Sequence, residues 1–174
     1  MRINANLLKT SETVKNVEKD LAYIAQKIYE DEPLLKLLTL KEKQLEPLTQ
    51  KEKKEILNNN IRIVPKIANL DFSNESYIVI HFNEFMPNEE NPEYRDKFLI
   101  FDIICNFDTW NMGDFKLRPY QIAGRLDMLF DNKGLSSSYS INFLNGGALA
   151  IDDEIAGLTL VYNVLYNKDE DRVD

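Results

Sequence analysis

One cysteine, one histidine and one tryptophan are all that 174 residues contain of those three types. The lone Cys105 excludes an intrachain disulfide and a cysteine-rich zinc site. It sits in an apolar strand pattern, where cysteine packs as a small hydrophobe. His81 has to serve any Ser-His-Asp or Cys-His site, yet it lies in an otherwise apolar run, residues 77–82, with no nucleophile-elbow serine nearby. That setting reads as a structural histidine. No apolar run approaches the ~20 residues of a membrane span. Met1-Arg2-Ile3-Asn4 also lacks the apolar core and cleavage site of a signal peptide. Together these point to a protein made and used in a reducing cytoplasm, without a membrane partner. Positive charge is short as well: 21 Lys and Arg stand against 29 Asp and Glu, a net −8. A surface that wraps DNA or RNA by neutralising phosphates needs dense Lys and Arg, so that class is excluded.

What is present is enough for a real core. Hydrophobic residues make up 44% and charged residues 29%, the balance of a folded chain. Residues 1–60 hold 11 basic and 10 acidic side chains, so nearly all the net negative charge rides on the rest.

The N-terminal third reads as helical. Val14, Val17, Leu21, Ile24 and Ile28 recur at helical spacing over residues 11–30, with Ser11 as the N-cap and Glu12 at the positive end of the dipole. Asp31-Glu32-Pro33 breaks and restarts the chain. Leu34, Leu35, Leu37, Leu38 and Leu40 then make a short apolar helix. Thr49 and Glu52 have the spacing of a capping box, and the helix they open ends at Asn58-Asn59-Asn60. Residues 61–65 are a brief extended piece that Pro65 confines to an edge or connector.

Strands follow. Residues 77–82 and 98–107 are the first two, and in the second the odd positions Leu99, Phe101, Ile103, Cys105 and Phe107 are all apolar and face the core. Residues 83–96 read as a long acidic excursion between them, and residues 108–116 as the next loop. A helix over 119–131 carries Ile122, Ala123, Leu126, Leu129 and Phe130 on one stripe, with Gly134 as its stop. Strands over 139–144 and 157–166 close the chain before a charged tail. The order predicts an α+β fold: N-terminal helices over 1–66, then a β-β-α-β-β sheet domain over 67–167 with a helix on one face, and a tail over 168–174.

The chemistry-bearing motifs are sparse. Asp152-Asp153-Glu154 reads as a solvated turn, because adjacent carboxylates do not converge on one cation. Gly146-Gly147 precedes neither a helix nor a Lys-Ser/Thr pair and reads as a turn or bulge. Asp102 followed by Asp114-Phe115-Lys116 matches the wording of a metal-dependent nuclease site, two carboxylates and a lysine. The pair falls in a loop where a strand should carry it. No catalytic residue, metal ligand or cofactor is expected. Phe85, Met86, Trp110, Met112 and Phe115 are the candidate interface, since aromatic and Met side chains in loops dominate interface anchors.

The run from Phe98 to the last strand resembles the tail-terminator, or tail-completion, class of bacteriophage neck proteins. The residues that carry the likeness are Asp108-Thr109-Trp110 after a strand, then Arg118-Pro119-Tyr120-Gln121-Ile122-Ala123 entering a short helix. Gly157-Leu158-Thr159-Leu160-Val161-Tyr162 in the last strand completes it. The resemblance implies a non-enzymatic virion protein without a cofactor, made in the host cytoplasm and built into a homo-oligomeric ring of six or twelve. Such a ring caps the tail tube or joins it to the head connector, with other neck, connector and tail-tube proteins as partners. Viral DNA passes through without sequence-specific binding, which the negative charge favours. The alternatives from other classes are an acidic cytoplasmic binding or adaptor module and the nuclease above.

Overall fold

The computed structural model describes residues 12–63, 75–87, 94–135 and 140–167. Three helices come first: α1 (Glu12–Glu30), α2 (Glu32–Leu38) and α3 (Gln50–Asn60). Ile24 and Ile28 of α1 are fully buried, so the predicted stripe is the one that packs. Ser11 and the Val14 side chain lie outside the described residues. Asp31 caps α2 by accepting the Leu34 N–H at 2.9 Å, with Pro33 in the first turn. Thr49 and Glu52 form the reciprocal capping box, Thr49 N–H to Glu52 at 2.9 Å and Glu52 N–H to the Thr49 hydroxyl at 3.3 Å.

Among the described residues the sheet has five strands: β1 (Ile61–Arg62), β2 (Tyr77–Pro87), β3 (Tyr94–Asn106), β4 (Ser140–Ala150) and β5 (Ile155–Asn167), with helix α4 (Arg118–Phe130) between β3 and β4. Their order is β1-β2-β3-β5-β4, with β1 parallel to β2 and every other pair antiparallel. From β3 the chain crosses along α4 to the far edge, then β5 returns into the gap. The fold is α+β, as the pattern of elements predicts.

Strand periodicity sorts the two faces. Ile78 and Ile80 of β2, Leu99, Phe101, Ile103 and Cys105 of β3, and Leu158, Leu160, Tyr162 and Val164 of β5 face the helices. Their core is continuous with Ile24, Ile28, Leu34, Leu35, Leu38, Leu126 and Phe130. The N-terminal helices therefore share one core with the sheet. Phe101 stacks on Phe130 with centroids 5.2 Å apart and meets the edge of Tyr162 at 5.8 Å. The predicted boundary at 66/67 and the tail at 168–174 fall outside the described residues.

Four sequence expectations are corrected. Residues 83–96 are not one excursion: β2 runs to Pro87 and β3 starts at Tyr94, because each strand finds hydrogen-bond partners in the other past the core. Phe107 does not continue the β3 core face. The Asn106 side chain accepts the Asp108 N–H at 2.8 Å, turns the chain into a short 3₁₀ turn (Phe107–Thr109), and leaves Phe107 half-exposed. The left-handed residue after α4 is Asn132, at φ 55°, and not Gly134. Gly146 and Gly147 lie inside β4, paired with Leu160 and Thr159, while the bulge falls between Phe143 and Asn145.

Candidate interaction surfaces

Helix α4 organises two surfaces, one closed and one open. On its inner flank Arg118, nearly buried at the first helical position, is held by four acceptors. Its Nη1 and Nη2 clamp both Glu42 carboxylate oxygens at 3.0 Å, Nη1 also donates to Leu37 O at 2.8 Å, and Nε donates to Thr109 O at 2.9 Å. A cation at a helix N-terminus opposes the dipole, and the bidentate carboxylate offsets it. One α4 stripe farther on, Arg125 pairs with both oxygens of Asp31, the cap of α2. Two guanidinium–carboxylate pairs thus dock the N-terminal helices onto α4 in the same chain.

The other flank is open. Tyr120, Gly124, Asp127 and Asp131 line a groove of about 340 Å³ shared with Phe143 and Leu160. The Tyr162 hydroxyl donates to Asp127 Oδ1 at 3.0 Å from beneath, and its burial followed by the Asp127 charge pushes the phenol well above its ordinary value. Tyr120 and Phe143 of this lining are exposed, as are Met128 of α4 and Leu144 of β4. Beyond its bulge β4 is exposed along the outer edge of the sheet.

The loop after β3 contains the other apolar surface. The Asn111 side chain accepts the Gly113 N–H at 2.9 Å, and Met112 N–H reaches Lys116 O at 3.0 Å. Gly113, Asp114 and Phe115 take φ of 85°, 51° and 60° in succession. Left-handed backbone at two non-glycine residues is strained, and the turn thrusts Phe115 fully into solvent. Phe115 stands over a pocket of about 520 Å³ with Phe107, Trp110 and Leu117.

The five predicted interface residues therefore separate. Phe115 is presented outward. Trp110 and Met112 are half-buried and pack back onto the core, with Trp110 5.0 Å from the Phe107 ring. Phe85 and Met86 are in β2, opposite Lys97 and Asp96, and not in a loop; their side chains lie outside the described residues. The sequence pattern missed Phe107, Tyr120, Phe143 and Leu144 as exposed apolar groups. Only Tyr120 gave a signal, as a polar-face position on the α4 helical pattern.

Possible chemistry is tied up internally. His81 Nε2 meets Asp102 Oδ2 at 3.2 Å, and the Thr159 hydroxyl donates to Asp102 Oδ1 at 2.6 Å, across the sheet face opposite the helices. The carboxylate sits between hydroxyl and imidazole, so this row is not the hydroxyl–imidazole–carboxylate order of a triad. Asp102 of the nuclease pattern is thus engaged within the sheet, while Asp114 and Lys116 occupy the exposed turn and not a second strand. Burial pushes the Cys105 thiol up to about 11, away from a reactive thiolate. Asp152 turns the β4–β5 hairpin by accepting the Glu154 and Ile155 N–H groups, both at 2.8 Å. Among the described residues, no three His, Cys, Asp or Glu side chains gather as a metal site and no helix is long and apolar enough to cross a membrane.

The model of the YomW family matches residues 31–164, from the Asp31 cap to Val164 within β5. The chain belongs to the YomW family. The matched span takes in both Arg118 and Arg125 with their carboxylates, α4, and the sheet except the last three residues of β5, and leaves α1 outside. No curated protein sequence matches the chain. Its fold is similar to that of a chain in the structure described as the virion of a native gene transfer agent particle, with a TM-score of 0.51 and 13% identity. The likeness covers 84% of this chain and 92% of that one.

Proposed function

We propose that this YomW-family protein is a virion structural protein of a phage-type particle, and that it works as one subunit of a homo-oligomeric ring at the neck. The observation that carries the reading is the shared fold with a virion chain over nearly the full length of both. Supporting it, His81, Asp102 and Thr159 are spent on one another within the sheet. The docked helices and sheet provide a rigid block, and the apolar residues left outside that block, Phe115 foremost, are the contacts to neighbours. Trp110 and Met112 support the Phe115 turn from below, and Phe85 and Met86 extend the contact region along β2. Subunits of this kind pair head to tail, and a closing rotation makes a ring. The net charge of −8 keeps a DNA passage from binding phosphates.

Native mass spectrometry and cryo-EM of the full chain test this. The expected result is a closed ring of six or twelve copies, located at the head–tail junction of intact particles. A monomer that forms a tight one-to-one complex with a basic protein would replace it with the adaptor reading. Mg²⁺-dependent DNA cleavage that vanishes in Lys116→Ala would replace it with the nuclease.

A further inference from the structure

The edge strand β4 is closed along its first half and open along its second. Before the bulge, Ile141 donates its N–H to Lys133 O at 2.7 Å and accepts the Asn132 N–H at 2.9 Å, and the Phe143 N–H goes to Asp131 Oδ1 at 2.8 Å. These bonds fix which backbone groups point away from β5. Ile141 and Phe143 face out, and Asn142 faces β5. The bulge adds one residue, so beyond it the outward set moves to Gly146, Ala148 and Ala150. The hairpin end agrees, because Ile151 donates inward to Ile155 O at 3.1 Å. Among the described residues nothing pairs with the outward N–H and C=O groups of Gly146, Ala148 and Ala150. Residues 144–150, Leu-Asn-Gly-Gly-Ala-Leu-Ala, also carry neither charge nor proline, two devices that blunt a free edge.

We propose that residues 144–150 accept the opposite sheet edge of a second copy of this chain, so that one sheet runs across the boundary between neighbouring subunits. This rests on the ring reading above and names the surface that closes the ring. A second copy is the occupant that the charge favours. Two chains of net −8 approach best where carboxylates are missing, and this stretch is neutral between Asp131 at one end and Asp152-Asp153-Glu154 at the other. Two-fold pairing of the stretch with itself would set those acidic ends against each other. Pairing with the far edge keeps those two ends apart, and the part of β2 just beyond β1, residues 80–82, carries no carboxylate. There β1 covers only Ile78 and Val79, and β2 continues to Pro87 with no strand on its β1 side among the described residues. Edge-to-far-edge contact is heterologous, as a ring requires. Backbone pairing supplies the register, and the neighbouring groove between Tyr120 and Phe143 seats a side chain of the incoming copy, which enlarges a short strand contact toward the roughly 1,200 Å² that specific interfaces bury.

The test is analytical ultracentrifugation of the full chain over a concentration series, with Ala148→Pro and Ala148→Lys beside the wild type. Ala148 N–H points away from β5, so proline there removes an outward donor without breaking the hairpin, and edge strands tolerate proline. Lysine places a charge on the same exposed position and needs no backbone change, so it decides the matter if the proline variant misfolds. Both variants are expected to keep the monomer's thermal stability and to assemble about tenfold more weakly or worse. In the wild-type assembly the Ala148 and Ala150 amides should exchange with deuterium more slowly than in the monomer. A wild type that assembles while both variants assemble equally well overturns this inference and leaves the ring reading standing. A wild type that stays monomeric at every concentration overturns both.

Discussion

The molecule has a closed side and an open side, and α4 runs along their border. On the closed side Arg118 and Arg125 tie α4 to Glu42 and Asp31, and Glu32 gathers Lys36 and Lys53, each at 3.0 Å. On the open side, Tyr120, Phe143 and Leu144 face solvent and the outer half of β4 has spare backbone groups. Strong directional bonds are spent where the chain packs on itself, while small, neutral and aromatic residues remain where it does not. The described body thus divides into a part specified for folding and a part left for contact.

Two glycines give the sharpest way to break that comparison. A Cβ at Gly157, in β5 against β3, would lie 1.6 Å from the Ile103 carbonyl oxygen and 2.7 Å from its carbon. Backbone cannot yield as a side-chain tip can, so Gly157→Ala is expected to cost more than about 4 kcal/mol, enough to prevent folding of a marginally stable domain. At Gly147, on the open edge, an added Cβ meets nothing within 4 Å. Gly147→Ala should change stability by less than about 0.5 kcal/mol. Urea denaturation of both variants measures the gap, and equal losses would show that the two sides do not differ in packing.

Arg118 comes next in size. Arg118→Met keeps much of the side-chain bulk but leaves the half-buried Glu42 carboxylate without its clamp and frees the acceptors of Leu37 and Thr109. A loss of roughly 3 kcal/mol is expected, typical of breaking a buried pair from one side. Arg125→Met, at a more exposed guanidinium, should lose about 1 kcal/mol. Thermal melts rank the two, and a reversed order would mean that Asp31 and not Glu42 is the main anchor of the N-terminal helices.

Much of the closed side was legible in the sequence. Caps are local chemistry, so Asp31-Glu32-Pro33 and the Thr49–Glu52 box announced α2 and α3. Alternation of period two named Leu99, Phe101, Ile103 and Cys105 as core. What sequence could not show depends on distant partners. β2 and β3 extend to Pro87 and from Tyr94 only because each has the other to bond, and Gly146-Gly147 is strand because β5 lies beside it. The role of Arg118 was hidden for the same reason, since Glu42 is 76 positions away. Of the loop aromatics, backbone dihedrals decided the outcome: consecutive positive φ values turn Phe115 out, while the 3₁₀ turn folds Trp110 back. Composition alone carries no such directions.

Acid titration addresses the closed side with the smallest expected effect. Hydrogen bonds from Lys53 and then Lys36 hold the Glu32 carboxyl at about 2, below its ordinary 4.5. The Thr49 backbone N–H and hydroxyl, with Lys41, hold Glu52 at about 2 as well. At Glu42 burial pushes the carboxyl up, but Arg118 outweighs it and the net shift is downward. A carboxylate whose folded pKa is depressed contributes stability that is complete above its unfolded pKa and is lost as pH falls toward the folded one. The melting temperature should therefore hold above pH 4.5 and decline between 4.5 and about 2. Both carboxylates keep a quarter to a third of their side-chain surface in solvent and are linked to lysines, so the decline is shallow and salt weakens it further. The double variant Glu32→Gln, Glu52→Gln should flatten this limb while leaving the oligomer untouched at neutral pH, because neither residue belongs to the open edge. An unchanged acid limb in that variant would place the sensitive carboxylates elsewhere, and a lost oligomer would mean that the helical side, too, is a surface on which copies meet.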